Sequence, residues 1–358
     1  MRLSPNRVIW VLNSACPSRC KVCDIASQQG RPELSREVVV RVAREVRDLG
    51  FREVVFVGGE PLLSPALPAA LEALGRGVDR AVFTGGIPGD AHRLIEPLAQ
   101  ADRLVASIDD ADDARNDELR GRAGITAALF QLLGAVRERL PGLYLSTNSV
   151  VSRHNVEHVA QLWPRVRELR PTCFALSVAG ENFETLPLAH LASRAWLERL
   201  YFELVPALAP QVRDAGTDFV VLPVPLPLLA LGVPPERWGD ESVRSSAPVR
   251  AEVELFSRGE HNRSFVTRHG CPLVGRDISI GVSGDVHPCS QAPILKSAHV
   301  LGNVTRESLA EILAGPRLRE FADRVPHAPC IRCWAPSNAP REVLAETLAR
   351  GSVTGTSG

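Results

Sequence analysis

Three cysteines stand close together near the start of the chain, Cys16, Cys20 and Cys23, spaced C-x3-C-x2-C. Three thiolates in one loop can ligate three irons of a [4Fe–4S] cluster and leave the fourth iron without a protein ligand. An open position of that kind is a chemical site, as it is on a catalytic zinc. The triad therefore points to catalysis rather than to electron storage alone. Its bland readings are a zinc knuckle or plain core cysteines, but a lone triad leaves a zinc site incomplete.

A second set lies far downstream: Cys271-x17-Cys289 and Cys330-x2-Cys333, with Gly284 five residues before Cys289 and Trp334 after the last cysteine. Two pairs of thiolates make four ligands, which closes the coordination of a cluster. A four-thiolate zinc site is the alternative. The eighth cysteine, Cys173, stands apart.

The rest of the chain bounds what these sites can serve. With 358 residues and 45% hydrophobic content it can bury a sizeable core in one or two domains. Basic and acidic residues balance at 41 each, so no basic field exists to hold a nucleic acid backbone. No apolar run reaches the roughly 18–20 residues of a membrane span. The segment from Met1 to Val11 lacks the long apolar core of a signal peptide. The expectation is a cytoplasmic protein, in which eight cysteines serve metal rather than disulfides.

Strand-like and helix-like runs alternate through the first half. Strands are expected at Arg7–Leu12, Glu53–Val57, Ala81–Thr84, Leu104–Ile108, Leu143–Val151 and Cys173–Val178. Between them, Ser35 caps a helix to about Leu49, and Ser64-Pro65 opens another to about Leu74. Helical spacing recurs over Ala127–Arg139 and Val156–Leu169, the latter with a kink at Pro164. Six βα repeats imply an α/β fold with a parallel sheet and right-handed crossovers. A partial (β/α)6 TIM-like barrel fits better than a Rossmann sheet, because no G-x-G-x-x-G follows the first strand. Pro187–Leu208 reads as mostly helical. Val220–Pro235 holds five prolines and reads as an irregular bridge. A cysteine-ligated β-hairpin follows (Ile278–Val282, a turn at Ser283-Gly284-Asp285, then Val286 to Cys289), with helices near Arg306–Ala314 and Arg317–Arg324. The tail Gly351–Gly358 reads as disordered. The expected division is a barrel over 1–215, a bridge over 216–265, an auxiliary domain over 266–340 and a C-terminal helix and tail over 341–358.

The cysteine triad after the first strand, followed by Gly58-Gly59-Glu60-Pro61 after the second, resembles the radical S-adenosylmethionine (radical SAM) superfamily. The resemblance implies that the open iron chelates SAM and that reductive cleavage yields a 5′-deoxyadenosyl radical, which abstracts a substrate hydrogen. It implies that Gly58 and Gly59 allow close approach to SAM and that Glu60 binds its amino group; the bland reading of Glu60 is a solvated loop carboxylate. Ser107-Ile108-Asp109 and the Arg120 of Asp117-Glu118-Leu119-Arg120-Gly121 resemble the segment that holds the SAM carboxylate in the subfamily with C-terminal cluster domains. A surface arginine is the alternative for Arg120. Asn148 is a candidate ribose contact or a rim residue. Val22 stands where many members place an aromatic residue, so adenine loses that stacking surface. The four distant cysteines resemble the twitch domain, half-sized relative of the SPASM domain, which carries an auxiliary [4Fe–4S] cluster.

A closed auxiliary cluster has no iron free for substrate, so its expected role is electron transfer. The expectation that follows is oxidation of a small polar metabolite, such as a sugar or aminocyclitol, with a flavodoxin or ferredoxin as reductant. The proximity of the first strand to the N-terminus supports a small-molecule substrate. Alternatives are a radical epimerase or decarboxylase, a peptide- or protein-modifying maturase, and a non-catalytic Fe–S electron carrier. Arg153 and Asp109 are candidates for a general base. Cys173 is expected at the barrel bottom in a structural role, with a hydrogen-atom donor as the alternative. His261, His269 and His287 read as surface residues rather than ligands.

Overall fold

Parallel strands covered on both faces read as apolar runs rather than as alternation, and Glu-Val-Val-Phe-Val over Glu53–Val57 is such a run. The structure, a computed structural model, describes residues 4–23, 30–89, 91–179, 191–261, 263–289, 299–327, 330, 333 and 343–344. Seven strands pair in parallel and in chain order: β1 (Arg7–Val11), β2 (Glu53–Val57), β3 (Asp79–Thr84), β4 (Arg103–Ser107), β5 (Tyr144–Val151), β6 (Cys173–Val178) and β7 (Asp218–Leu222). The helices of this half are α1 (Arg36–Asp48), α2 (Leu67–Leu74), α3 (Ile95–Leu98), α4 (Asp113–Arg120), α5 (Ile125–Arg139), α6 (Val159–Val166), α7 (Arg194–Arg199) and α8 (Val205–Asp214). α1 shows why they form. The Ser35 hydroxyl accepts from the Val38 N–H, and Val39, Val42, Ala43 and Val46 recur at helical spacing and are buried.

Several elements differ from the sequence reading. The Ser64 hydroxyl accepts from the Ala66 N–H in a turn, so α2 opens at Leu67 rather than at Pro65. The run over Val156–Leu169 splits into a 3-10 turn at Val156–His158, α6, and a second 3-10 turn at Arg167–Leu169, with Pro164 inside α6. α4 went unread because Asp-Ala-Arg-Asn-Asp-Glu-Leu-Arg has almost no apolar stripe; only Asn116 and Leu119 are buried. The start of the expected bridge is β7, a seventh parallel strand on β6. The bridge itself folds into α9 (Leu226–Leu231), α10 (Glu241–Arg244), α11 (Ala247–Ser257) and α12 (Arg263–His269). A π-turn at Leu200–Leu204 joins α7 to α8. The part of Pro187–Leu208 before residue 191, Trp334 and the tail 351–358 lie outside the described residues.

The expected hairpin is present as β8 (Asp277–Ile280) and β9 (Asp285–His287), joined to the short β10 (Gly302–Asn303). Its placement was not expected: β8 pairs in parallel with β1, so the sheet runs β10-β9-β8-β1-β2-β3-β4-β5-β6-β7. Asn6 ties this seam by donating to the Asp277 carboxylate at 3.0 Å. Two helices, α13 (Leu309–Ala314) and α14 (Pro316–Asp323), follow, the first opened by a capping box between Ser308 and Glu311.

Two ends of the sheet carry different chemistry. At the strand starts, Arg7 and Arg103 both donate to Glu53, and Arg103 also bonds Asp79 at 2.9 Å. This ionic layer closes the floor. His261 (0% exposed) and His287 (9%) are buried in packing rather than lying at the surface as expected.

Candidate active site

The opposite end, where the parallel strands finish, gathers the residues singled out from the sequence. The loop 13–23 lies over the end of β2 through an exchange of backbone hydrogen bonds. Gly59 N–H donates to the Asn13 carbonyl (2.9 Å) and Glu60 N–H to the Ala15 carbonyl (2.7 Å). In return the Asn13 side-chain amide donates to the Glu60 carbonyl at 2.9 Å. A Cβ on Gly59 would stand 2.1 Å from the Ala15 carbonyl oxygen, and one on Gly58 2.6 Å from that of Asn13. Both glycines therefore serve first to seat the cysteine loop.

The far side of the same loop is held by the end of α4. Arg19 N–H donates to the Arg120 carbonyl (3.2 Å) and Lys21 N–H to the Leu119 carbonyl (2.9 Å). The Arg122 guanidinium donates to the Pro17 carbonyl at 2.9 Å. Gly121 ends α4 in the left-handed conformation (φ +64°), and a Cβ there would stand 2.1 Å from the Arg19 carbonyl oxygen. The sequence reading missed this role of Gly121, although a glycine after a helical Leu-Arg is a legible C-cap signal.

Glu60 is 2% exposed. Its carboxylate accepts from the Thr84 hydroxyl (3.0 Å), the Gly85 N–H (2.9 Å) and the Leu62 N–H (3.2 Å). Burial pushes its pKa up to about 7, against the pull of those donors. Arg120 is largely buried, its side chain 13% exposed, and bonds Asp109 at 3.0 Å. Burial disfavours its charge, yet the Asp109 carboxylate holds its pKa above the ordinary value. Arg120 is thus a fixed cation, not a surface arginine.

Asp109 is committed on every side. Its second carboxylate oxygen accepts from the Val150 N–H (2.8 Å), its N–H donates to Asn116 Oδ1 (2.8 Å), and its carbonyl accepts from the Asn155 amide (2.7 Å). The Asp109 carboxylate is engaged by Arg120 and the Val150 N–H, and its role in the structure is to hold Arg120 in place. Asn116 and Asn155 were missed, because an isolated asparagine carries no signal of its partner. Ser107 ends β4 in register with Asn148 of β5, and Asn148 Oδ1 accepts from the Ser177 hydroxyl of β6 at 2.8 Å. These three polar side chains form a row along the ends of β4, β5 and β6. Arg153 lies exposed just past β5.

The three thiols lie within electrostatic reach of one another and of Arg120: burial raises Cys20 to about 11, while Arg120 opposes the rise. Arg120 Nε, Asn13 Oδ1 and Ser18 Oγ are buried with no hydrogen-bond partner among the described residues. A largely buried cation, orphaned polar atoms and three thiols around a glycine-seated loop fit a cluster together with a ligand that has both donor and acceptor groups.

The second cysteine set is built differently. Cys271 precedes β8, and Cys289 follows β9, its carbonyl accepting from the Ser279 hydroxyl at 2.8 Å. Cys330 N–H donates to the His327 carbonyl (2.8 Å) and Cys333 N–H to the Cys330 carbonyl (3.3 Å). Cys271, Cys330 and Cys333 pack against a small apolar group of Phe265, Val266, Leu273, Val343 and Leu344. Burial pushes Cys271 up to about 12, with the neighbouring Cys289 and Cys330 adding to the rise. All eight cysteines are free thiols. Cys173 starts β6, in register with Ser146 and Asp218, at the floor and away from both sets.

Residues 10–162 match the radical SAM superfamily, and residues 271–334 match the SPASM iron–sulfur cluster-binding domain. The match is to the SPASM domain, and the half-sized twitch reading finds no support in it. A protein of Xanthomonas axonopodis pv. citri named PqqA peptide cyclase is 25% identical over 316 residues, covering 86% of this chain and 74% of that one. Its namesake from Xanthomonas campestris pv. campestris is 28% identical over 316 residues, covering 86% and 73%. In fold, the chain is similar to SuiB of Streptococcus suis bound to S-adenosylmethionine (TM-score 0.66, 18% identity, 93% of this chain and 71% of that one). It is also similar to anSMEcpe with bound AdoMet and a Cp18Cys peptide (TM-score 0.61, 13% identity, 93% and 87%).

The names of the sequence relatives overturn the expectation of a small polar metabolite as substrate and partner, and with it the oxidation of a sugar or aminocyclitol. Among the described residues no helix is long and apolar enough to cross a membrane. The two matched domains imply a [4Fe–4S] cluster with SAM and auxiliary iron–sulfur clusters as cofactors. The chain is an enzyme of the radical SAM superfamily with a C-terminal SPASM domain.

Proposed function

We propose that this enzyme matures a ribosomally made peptide by forming a cyclising bond within it. The observation that carries the reading is the likeness, over 86% of the chain, to relatives named PqqA peptide cyclase. When bound, SAM and the iron–sulfur clusters supply hydrogen-atom abstraction and an electron acceptor. On this reading the chain's own residues do four things. Cys16, Cys20 and Cys23 hold the first cluster, and Cys271, Cys289, Cys330 and Cys333 hold the auxiliary one. Glu60 accepts from the SAM amino group, and Arg120, fixed by Asp109, donates to its carboxylate. Gly58 and Gly59 keep the cysteine loop against β2 and so fix the distance between cluster and SAM. Ser107, Asn148 and Ser177 offer neutral hydrogen-bonding groups to the ribose or to the peptide.

We divide the chain accordingly into a barrel that counts β7 with it, a helical bridge, and an auxiliary domain whose β8 rides on β1. The test uses the reconstituted protein, SAM, a strong reductant and each short peptide that the neighbouring genes prove to encode. The expected product is 5′-deoxyadenosine together with a peptide lighter by one hydrogen pair. Formation of 5′-deoxyadenosine with every encoded peptide candidate unchanged in mass would sink the peptide reading.

A further inference from the structure

The two edges of the sheet are finished differently. At one edge, β10 has only two residues, and α13 covers it: a Cβ on Gly302 would stand 2.8 Å from the Ile312 side chain. Short, covered edges are how proteins avoid pairing with other chains. At the other edge, β7 runs for five residues, Asp-Phe-Val-Val-Leu, with no strand beyond it among the described residues.

The hydrogen-bond parity of β7 follows from its start. Asp218 N–H donates to the Thr172 carbonyl at 2.9 Å. In a parallel ladder this commits Asp218, Val220 and Leu222 to β6 and turns the N–H and C=O of Phe219 and Val221 outward. Among the described residues nothing pairs with those four groups. The edge is nevertheless held firmly. The Phe219 ring stacks on Phe174 at 5.6 Å. The hydroxyl of the buried Tyr201, carried by the π-turn, donates to the Pro223 carbonyl at 2.6 Å and pins the strand's end. π-turns of this kind recur at functional sites.

The opposite face of β7 looks toward the candidate site. Val220 is 36% exposed, one of three large apolar side chains so exposed among the described residues. Leu222 stands in register with Ser177, whose hydroxyl bonds Asn148. A strand added to β7 would thus lie two strand spacings, about 9.6 Å, beyond the Ser177 end of the row that reaches Ser107. Every second side chain of that strand would enter the barrel beside Val220 and Leu222.

We propose that the peptide substrate binds as an extended segment along the free edge of β7, its backbone paired with Phe219 and Val221. The inference rests on the peptide reading above and gives it a place. Addition of a strand to a prearranged edge supplies affinity through main-chain bonds and leaves alternate side chains to set specificity. The occupant is therefore an unfolded peptide segment rather than a folded protein.

The test uses the reconstituted enzyme with SAM and a synthetic copy of a short peptide that the neighbouring genes prove to encode. Amide hydrogen exchange should slow at Phe219 and Val221 when the peptide is added and stay unchanged at Val220. A scan of single N-methyl groups along the peptide should weaken binding about tenfold at every second residue and hardly at those between. Modification of the peptide without protection of residues 217–223, or an N-methyl scan with no two-residue period, overturns the edge while the peptide reading stands. A peptide neither bound nor modified overturns both.

Discussion

The two cysteine sites belong to paired strands, one following the end of β1 and the other bracketing the β8–β9 hairpin, yet they are assembled by opposite means. The loop of Cys16, Cys20 and Cys23 is clamped by backbone hydrogen bonds from both sides, at Gly59-Glu60 and at Leu119-Arg120. Its cysteines come from one short segment whose backbone is held in place by the protein alone. The auxiliary cysteines come from three stretches of chain, and among the described residues Cys271, Cys330 and Cys333 pack against a satellite group of five buried apolar residues. Ordering three separate stretches costs conformational entropy. A cluster that ligates all four thiols would complete the fold there, as metal does in small metal-dependent domains. The first site is a prepared socket; the second is closed by what it binds.

The largest effect tests the socket. Gly59→Ala or Gly121→Ala places a methyl group 2.1 Å from a carbonyl oxygen of the cysteine loop, so the loop must move. Iron content should fall from about 8 to about 4 per chain, the auxiliary cluster remaining. Peptide modification should fall by about 100-fold or more, since misplacement by an ångström costs that much. An iron count and an EPR spectrum of the reduced protein check this; a variant with full iron and normal SAM cleavage would mean the clamp is not needed.

Cys271→Ser tests the other member of the pair. It should remove about 4 irons per chain and leave the front cluster's EPR signal intact. Residues 263–333 should then open to protease and to hydrogen exchange, while β1 to β6 keep their protection. Chelation of all iron from the unaltered protein should produce the same contrast within one molecule. Equal protection at both sites after chelation would erase the distinction drawn here.

How far the sequence could show this contrast follows from which residues carry it. Apolar runs such as Glu53–Val57 are legible because a strand buried on both faces needs them, and the cysteine spacings are legible because iron imposes them. β7 was missed because Pro223 and Pro225 follow Phe-Val-Val-Leu at once and read as a bridge. The pairing of β8 with β1 spans some 270 residues, and nothing local to either strand encodes it. Asp109 was read as a possible base because the chain shows its carboxylate but not Val150, Asn116 and Asn155 around it. The substrate was misread for a plainer reason: the argument leaned on how near β1 lies to residue 1, a feature with no chemistry in it.

A moderate effect is expected where Arg120 meets Asp109. Asp109 is buried and Arg120 nearly so, with side-chain exposures of 4% and 13%. Arg120→Met leaves a buried carboxylate without its cation and should destabilise the barrel by about 3 kcal/mol. Adding Asp109→Asn should recover much of that loss, because no charge is then stranded, while SAM affinity stays low. Denaturation midpoints separate stability from binding, and recovery of SAM affinity in the double variant would remove Arg120 from the site.

The smallest effect lies on the seam between the two regions. Asp277 of β8 is fully buried and accepts from Asn6, beside β1, while its other carboxylate oxygen has no partner among the described residues. Burial raises its pKa above the ordinary 3.8, with Glu53 adding to the rise and Arg7 and Arg276 opposing it. A carboxyl with a raised pKa binds its proton more tightly folded than unfolded. Its contribution to stability is therefore complete at low pH and is lost as pH climbs from the ordinary aspartate range through the raised value. Asp277→Asn keeps the acceptor for Asn6 and removes the titration. At neutral pH it should stabilise the protein by about 1 kcal/mol or less, and the gain should vanish below about pH 4. If β8 does lock the auxiliary region to the barrel, this gain appears in the unfolding of residues 263–333 as well as of β1. A gain confined to β1 would mean that the two regions share a sheet without sharing stability.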